Sequence, residues 1–271
     1  MKDYFGKDCS RLKDKKLWLF DMDGTVYLGN ILFEGVLELL SSIEDRGGKY
    51  VFITNNSSKG KGDYIAKVNK MGIKADEDNF YTSVDAAVSL LKEKMEDRLI
   101  YAQGTKSFVD NLRASGLNVT TEHDEKSECV IVGFDMELNM DKLTNTCKTL
   151  LKDVPYYATN PDWVCPTEFG YIPDCGSMCF GLEKATGKKP FFIGKPNPTM
   201  IEEVMKKFGV TKEEVVVLGD RIYTDIASGV NAGVDTVLVL SGESTIKDYE
   251  ESDAKPTFVL NHVKEINGLI G

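Results

Sequence analysis

Four short segments of this 271-residue chain carry side chains that could act together on a phosphoryl group. Asp21-Met22-Asp23-Gly24-Thr25 offers two carboxylates, and Thr54-Asn55-Asn56-Ser57 offers hydroxyls and amides. Lys195-Pro196 brings an ammonium, and Asp220-Arg221-Ile222-Tyr223-Thr224-Asp225 brings two further acids. In extended backbone, residues i and i+2 point the same way, so Asp21 and Asp23 are expected on one face. Two carboxylates that close cannot both ionise freely, and their neighbours must split their roles. An ion beside Asp21 keeps it anionic and nucleophilic. Asp23 can then hold a proton for a leaving oxygen and later take one from water. Lys195 can neutralise a transferring phosphoryl group, and Thr54, Asn55 and Asn56 can donate hydrogen bonds to its oxygens.

Each segment alone also has a plainer reading. D-x-D-G forms Asx-turns, and it lacks the further acids of an EF-hand calcium loop. Thr54 to Ser58 could simply cap a helix, a role compatible with anion binding because helix N-termini do both. Lys195 could be a solvated lysine and Asp220 a turn residue. The conjunction decides, because each segment directly follows an apolar run.

Those runs are Leu17–Phe20, Tyr50–Ile53, Phe191–Ile193, Val215–Leu218, Thr236–Leu240 and Phe258–Leu260. They are continuous rather than alternating, as parallel strands covered on both faces should be. Between the third and fourth, Met200, Ile201, Val204, Met205 and Phe208 fall on one helical stripe that Gly209 is placed to stop. Strand–helix–strand alternation predicts a doubly wound α/β sheet, in which ligands bind beyond the carboxyl ends of the strands. A second group of strand-like runs, Leu99–Ala102, Cys129–Gly133 and Tyr156–Ala158, alternates with helical patterns at Thr105–Arg113 and Met140–Lys152. We therefore expect a core from residues 1–84 and 187–271, interrupted by an inserted α/β domain over 85–186.

The formal net charge of -10 argues against a nucleic-acid partner, which needs a basic face. No apolar stretch is long enough to span a bilayer, and the charged N-terminal segment has no secretory pattern. The six cysteines form no CxxC pair and read as reduced thiols of a cytoplasmic protein. A zinc site at Cys165, Cys175 and Cys179 lacks a nearby histidine to complete it. Assembly into a homo-oligomer stays open.

DMDGT, TNNS, GKP and GDRIYTD, in this order, resemble the four motifs of the haloacid dehalogenase (HAD) superfamily. The insertion between the second and third motifs, ATNPD at 158–162 and GLEKATGKKP at 181–190 resemble its type-2-capped sugar-, nucleotide- and nitrophenyl-phosphatases. The resemblance implies a Rossmann-like HAD core with an inserted cap, and Mg²⁺-dependent hydrolysis of a small phosphorylated metabolite through an aspartyl-phosphate. It makes Asp21 the nucleophile and Asp23 the acid/base. Mg²⁺ would be held by Asp21, Asp220 and the backbone carbonyl of Asp23, with Asp225 one layer behind. Few protein oxygens leave room for phosphate and water, which suits Mg²⁺ better than Zn²⁺ or Ca²⁺. The D-x-D pair argues against a dehalogenase, and the short stretch between Asp21 and Thr54 leaves no room for the helical cap of phosphomutases. A catalytically silent binding protein should have lost a motif carboxylate, and none is missing. The turn-rich segment Thr159–Ser177 is the expected substrate selector. It departs from the branch by carrying Pro173-Asp174-Cys175-Gly176 where a Gly-rich PGxG is usual.

Overall fold

Leu17-Trp18-Leu19-Phe20 is buried along its whole length and lies inside a six-stranded sheet in the computed structural model, which describes residues 1–167 and 169–270. Parallel neighbours flank it on both sides, Val215–Gly219 on one and Lys49–Thr54 on the other. Beyond Val215–Gly219 come Asp235–Val239 and Phe258–Leu260, also parallel, while Phe80–Thr82 closes the opposite edge. The continuous apolar runs are thus explained: Val215–Gly219 is buried at every position, as a strand covered on both faces must be. Trp18, Phe20, Phe52 and Phe80 form a chain of ring contacts with centroids 5.2–6.4 Å apart. Such pairs add about 0.5–1.5 kcal/mol each beyond the area they bury.

The helical stripe after Pro198 becomes the helix Thr199–Phe208, which buries Met200, Ile201 and Val204. Gly209 ends it at φ +64°, its N–H reaching back to the Met205 and Lys206 carbonyls. A left-handed residue there costs glycine nothing sterically.

The chain forms two compact units. The first comprises Met1–Thr54, Ile65–Tyr81 and the described residues from Lys195 onward; the second comprises Asn55–Tyr64 and Thr82–Gly194. These limits differ from the expected 84/85 and 186/187. Segment 55–64 goes with the second unit because Ser83 Oγ and Asn160 Nδ2 donate to the Asn55 carbonyl and Thr105 Oγ1 donates to that of Ser58.

The second unit has its own parallel sheet, ordered Phe191–Phe192, Tyr156–Ala158, Cys129–Val132, Ile100–Gln103 and Val119–Thr120. Phe191–Ile193, expected in the core sheet, is corrected here: its first two residues pair with Tyr157 and Ala158. An apolar run announces a strand without saying which sheet it joins. The segment Thr159–Ser177, expected as a loop, contains an antiparallel hairpin, Val164–Thr167 with Gly170–Pro173. Glu168, within it, lies outside the described residues. Cys175–Thr186 forms a further helix, capped by the Asp174 side chain. Cys165, Cys175 and Cys179 lie in or against the core of this unit. Among the described residues, no cysteine joins a metal-binding group and no helix is long and apolar enough to cross a membrane.

Candidate active site

The carboxyl ends of the core strands gather the charge. Asp21 continues the strand Leu17–Phe20, its N–H donating to the Leu218 carbonyl at 2.8 Å. Asp220 directly follows Val215–Gly219. Asp225 comes back to the same strand end through a π-helical turn, Ile222–Ile226, whose Ile226 N–H reaches the Arg221 carbonyl at 3.2 Å. The wider turn packs Asp225 on Gly219, where a Cβ would stand 2.2 Å from the Asp225 Cβ. Single π turns recur at functional sites because they re-aim one side chain. One ligand atom from each of Asp21, Asp220 and Asp225 lies within 4.8 Å of the others.

Lys195 enters this cluster almost wholly buried. Its Nζ donates to Asp21 Oδ1 and to Asp225 Oδ1, each at 2.6 Å, and to the Ile53 carbonyl at 3.3 Å. Burial works against the ammonium, but the charges of Asp21 and Asp225 outweigh it and hold its pKa above the ordinary lysine value. Asp21 is raised well above the usual carboxylate range, by burial first and the charge of Asp225 second; Lys195 pulls the other way without prevailing. Asp220 is pushed up to about 6, again by burial and then by Asp225. Lys195 bonds two of these three carboxylates and the Arg221 charge acts on the third, which still leaves an excess of negative charge that a divalent cation would match. The oxygen-only donor set suits a hard cation.

The sequence-predicted residues fare unevenly. Asp21, Lys195, Asp220 and Asp225 come together. Asp225 is already committed, with Oδ1 on Lys195 and Oδ2 accepting from the Arg221 N–H at 3.0 Å. Asp23 does not join the carboxylate cluster. It is more than half exposed, and Tyr27 OH reaches its Oδ2 at 3.4 Å while Lys67 Nζ stands 3.8 Å from Oδ1. Lys67 also lies over the Tyr27 ring, 3.8 Å from its centroid. Thr54 is the buried last residue of the strand Lys49–Thr54. Asn55 and Asn56 belong to the second unit. There Asn55 Nδ2 donates to Asp162 Oδ2 at 3.0 Å, so ATNPD locks the TNNS segment. Asn56 Oδ1 accepts from the Ser58 amide and hydroxyl, at 2.9 and 2.7 Å, in an Asx-turn.

Sequence reasoning missed the residues that hold Asp220. Its Oδ2 accepts the Glu243 N–H at 2.7 Å, and its Oδ1 has the Thr25 hydroxyl at 3.4 Å. Gly24 and Gly242 sandwich the carboxylate: a Cβ would come within 2.4 Å of Oδ2 from Gly24 and 2.0 Å from Gly242. Gly24 also sits at φ +89°, which adds strain to any substitution there. The signal was available, since Ser241-Gly242-Glu243-Ser244 follows a fifth core strand, Asp235–Val239.

The model of the haloacid dehalogenase-like hydrolase family matches residues 18–118, and a HAD-hydrolase-like model matches 192–266. The chain is 33% identical over 247 residues to the ribonucleotide monophosphatase NagD of Escherichia coli, covering 91% of this chain and 96% of that one. It is similar in structure to the 4-nitrophenylphosphatase of Thermotoga maritima, with TM-score 0.91 and 37% identity over 96% of this chain and 99% of that one. A glycerol phosphate phosphatase of Mycobacterium tuberculosis, solved with magnesium, matches with TM-score 0.87 and 26% identity over 95% of this chain and 77% of that one.

Proposed function

This chain belongs to the haloacid dehalogenase-like hydrolases and is a phosphoric monoester hydrolase; we propose that it hydrolyses small phosphomonoesters, with Mg²⁺ bound, by transferring the phosphoryl group to Asp21. The observation that carries this reading is the Lys195 ammonium held between Asp21 and Asp225 in a cluster of three carboxylates. An Asp21 oxygen bonds to phosphorus as the bond from phosphorus to the leaving oxygen breaks, and Asp23 gives that oxygen its proton. Water then attacks phosphorus, Asp23 takes a proton from it, and the bond between Asp21 and phosphorus breaks. Lys195 keeps Asp21 in line and spreads the charge of the transferring group, while Thr54 with Asn55 and Asn56 hydrogen-bonds its oxygens.

Asp21 and Asp220, with the Asp23 carbonyl by resemblance, would hold the cation, whose positive charge would favour the ionised form of Asp21 and offset the negative charge of the phosphoryl oxygens. The Asp23 carboxyl is more than half exposed and lies outside the group formed by Asp21, Asp220 and Asp225, which supports its role as the proton carrier. The related phosphatases are named for a ribonucleotide, a nitrophenyl ester and glycerol phosphate. That spread supports a small phosphomonoester as the substrate class. Within the second unit, Trp163, Phe169 and Tyr171 stand exposed around the hairpin.

Release of inorganic phosphate from sugar phosphates, nucleotides and p-nitrophenyl phosphate tests the proposal. Activity should vanish in excess chelator and return with Mg²⁺, but only weakly with Ca²⁺, whose looser coordination misplaces the phosphate. Full turnover in chelator would refute the cation; no phosphate from any ester would refute the reaction.

A further inference from the structure

The loop Ser241–Ser244 supplies no group to this reaction, yet it is tied to the site at several points. Ser241 Oγ donates to the Gly24 carbonyl at 2.8 Å, and the Glu243 N–H donates to Asp220 Oδ2 at 2.7 Å. The Ser244 N–H donates to the Asp220 carbonyl at 3.1 Å, and its Oγ accepts from the Ile222 N–H at 3.1 Å. Gly242 allows this close approach, because any Cβ there would strike the Asp220 carboxylate.

Glu243 also faces outward. Its carboxylate accepts from Arg221 Nε at 2.8 Å and from the Tyr223 hydroxyl at 3.1 Å. Arg221 and Tyr223 stand on either side of Ile222, so the segment just after Asp220 clamps the residue whose amide holds Asp220. The circuit is closed: strand end, loop amide, loop carboxylate, and back to the strand end. Asp220 spends Oδ2 on that amide and has a longer contact at Oδ1, so the orientation of its carboxylate follows the position of the Glu243 amide.

We propose that Glu243 is a positioning residue for cation binding: its bonds to Arg221 and Tyr223 fix the loop, and the fixed amide orients Asp220. The inference rests on the phosphatase reading, in which Asp220 holds the cation. Groups one layer behind a metal ligand are commonly worth about 10–100-fold in metal affinity.

Calorimetric titration of Mg²⁺ into the metal-free full chain tests the inference, alongside denaturant unfolding in chelator. Glu243→Ala should weaken Mg²⁺ binding about tenfold or more while shifting the metal-free unfolding midpoint little, since the pair is partly exposed. Glu243→Gln keeps an oxygen for Arg221 and Tyr223 and should stay near wild type. Equal weakening by Ala and Gln would assign the effect to lost negative charge and overturn the positioning role. Unchanged Mg²⁺ affinity in Glu243→Ala would overturn it too, whether or not the metal-free protein is less stable. A wild-type chain that binds no Mg²⁺ would overturn the functional reading itself and this inference with it.

Discussion

Asp220→Asn should destroy cation binding and yet stabilise the metal-free protein. In the folded state the Asp220 carboxyl is pushed up to about 6 from 3.8, by burial and by the neighbouring Asp225. Below about pH 3 it is neutral in both states and contributes nothing to stability. As pH rises through 4 to 6 the unfolded chain releases the proton first, so the folded state binds more protons and stability falls. Above about pH 7 the loss is complete. The distance from 3.8 to about 6, at about 1.4 kcal/mol per tenfold change in proton affinity, comes to about 3 kcal/mol. Asn carries no charge to bury, and its side-chain oxygen can still accept the Glu243 N–H. The assay is urea unfolding of both proteins in excess chelator. Asp220→Asn should be more stable by about 3 kcal/mol at pH 8 and by only about 1 kcal/mol at pH 4.5, the remainder of the same titration. Adding Mg²⁺ at pH 8 should stabilise wild type alone and close the gap. A variant less stable than wild type at pH 8 in chelator, or a gap that does not shrink on acidification, would refute this electrostatic account of the site.

Two substitutions test the remaining roles. Lys195→Met preserves length but leaves the Asp21 and Asp225 carboxylates without the ammonium that bridges them; breaking such a buried arrangement costs about 3–5 kcal/mol, so unfolding at neutral pH should move accordingly and turnover should be lost even where the variant folds. Asp23→Asn should still release about one equivalent of nitrophenol from p-nitrophenyl phosphate in a burst, because that leaving group needs no proton, and then turn over slowly. With a sugar phosphate the same variant should show no burst. Loss of the burst with nitrophenyl phosphate, in a variant that still binds Mg²⁺, would remove Asp23 from acid/base work.

The four strand-end segments were legible because parallel strands write continuous apolar runs and ligands gather at their carboxyl ends. Asp21, Asp220 and Asp225 stand at core strand ends by that rule, while Lys195 follows a strand of the second unit. Phe191–Ile193 went to the wrong sheet because hydrophobicity measures burial, and a strand of the inserted unit is buried as a core strand is. Asp23 illustrates another limit. Alternation along an extended segment puts it beside Asp21, but the chain turns at Gly24, and Asp23 ends up against Tyr27 and Lys67. Glu243 escaped notice although it too follows a core strand. Its working atom is a main-chain nitrogen, and a main-chain nitrogen leaves no mark on residue identity.

The strand that carries Asp21 is flanked on one side by residues 215–219, almost two hundred positions later in synthesis. At about 5–20 residues per second, Asp21 leaves the ribosome roughly 10–40 s before its neighbouring strand. Every segment of the second unit lies between Asn55 and Gly194, so that unit can finish folding in the interval. Until Val215–Gly219 arrives, Leu17–Phe20 presents an unpaired apolar edge, the kind of surface that recruits other chains or a chaperone. The nascent protein therefore holds Asp21 long before it holds Lys195, Asp220 and Asp225. No nascent chain can assemble this cluster before Asp225 has emerged.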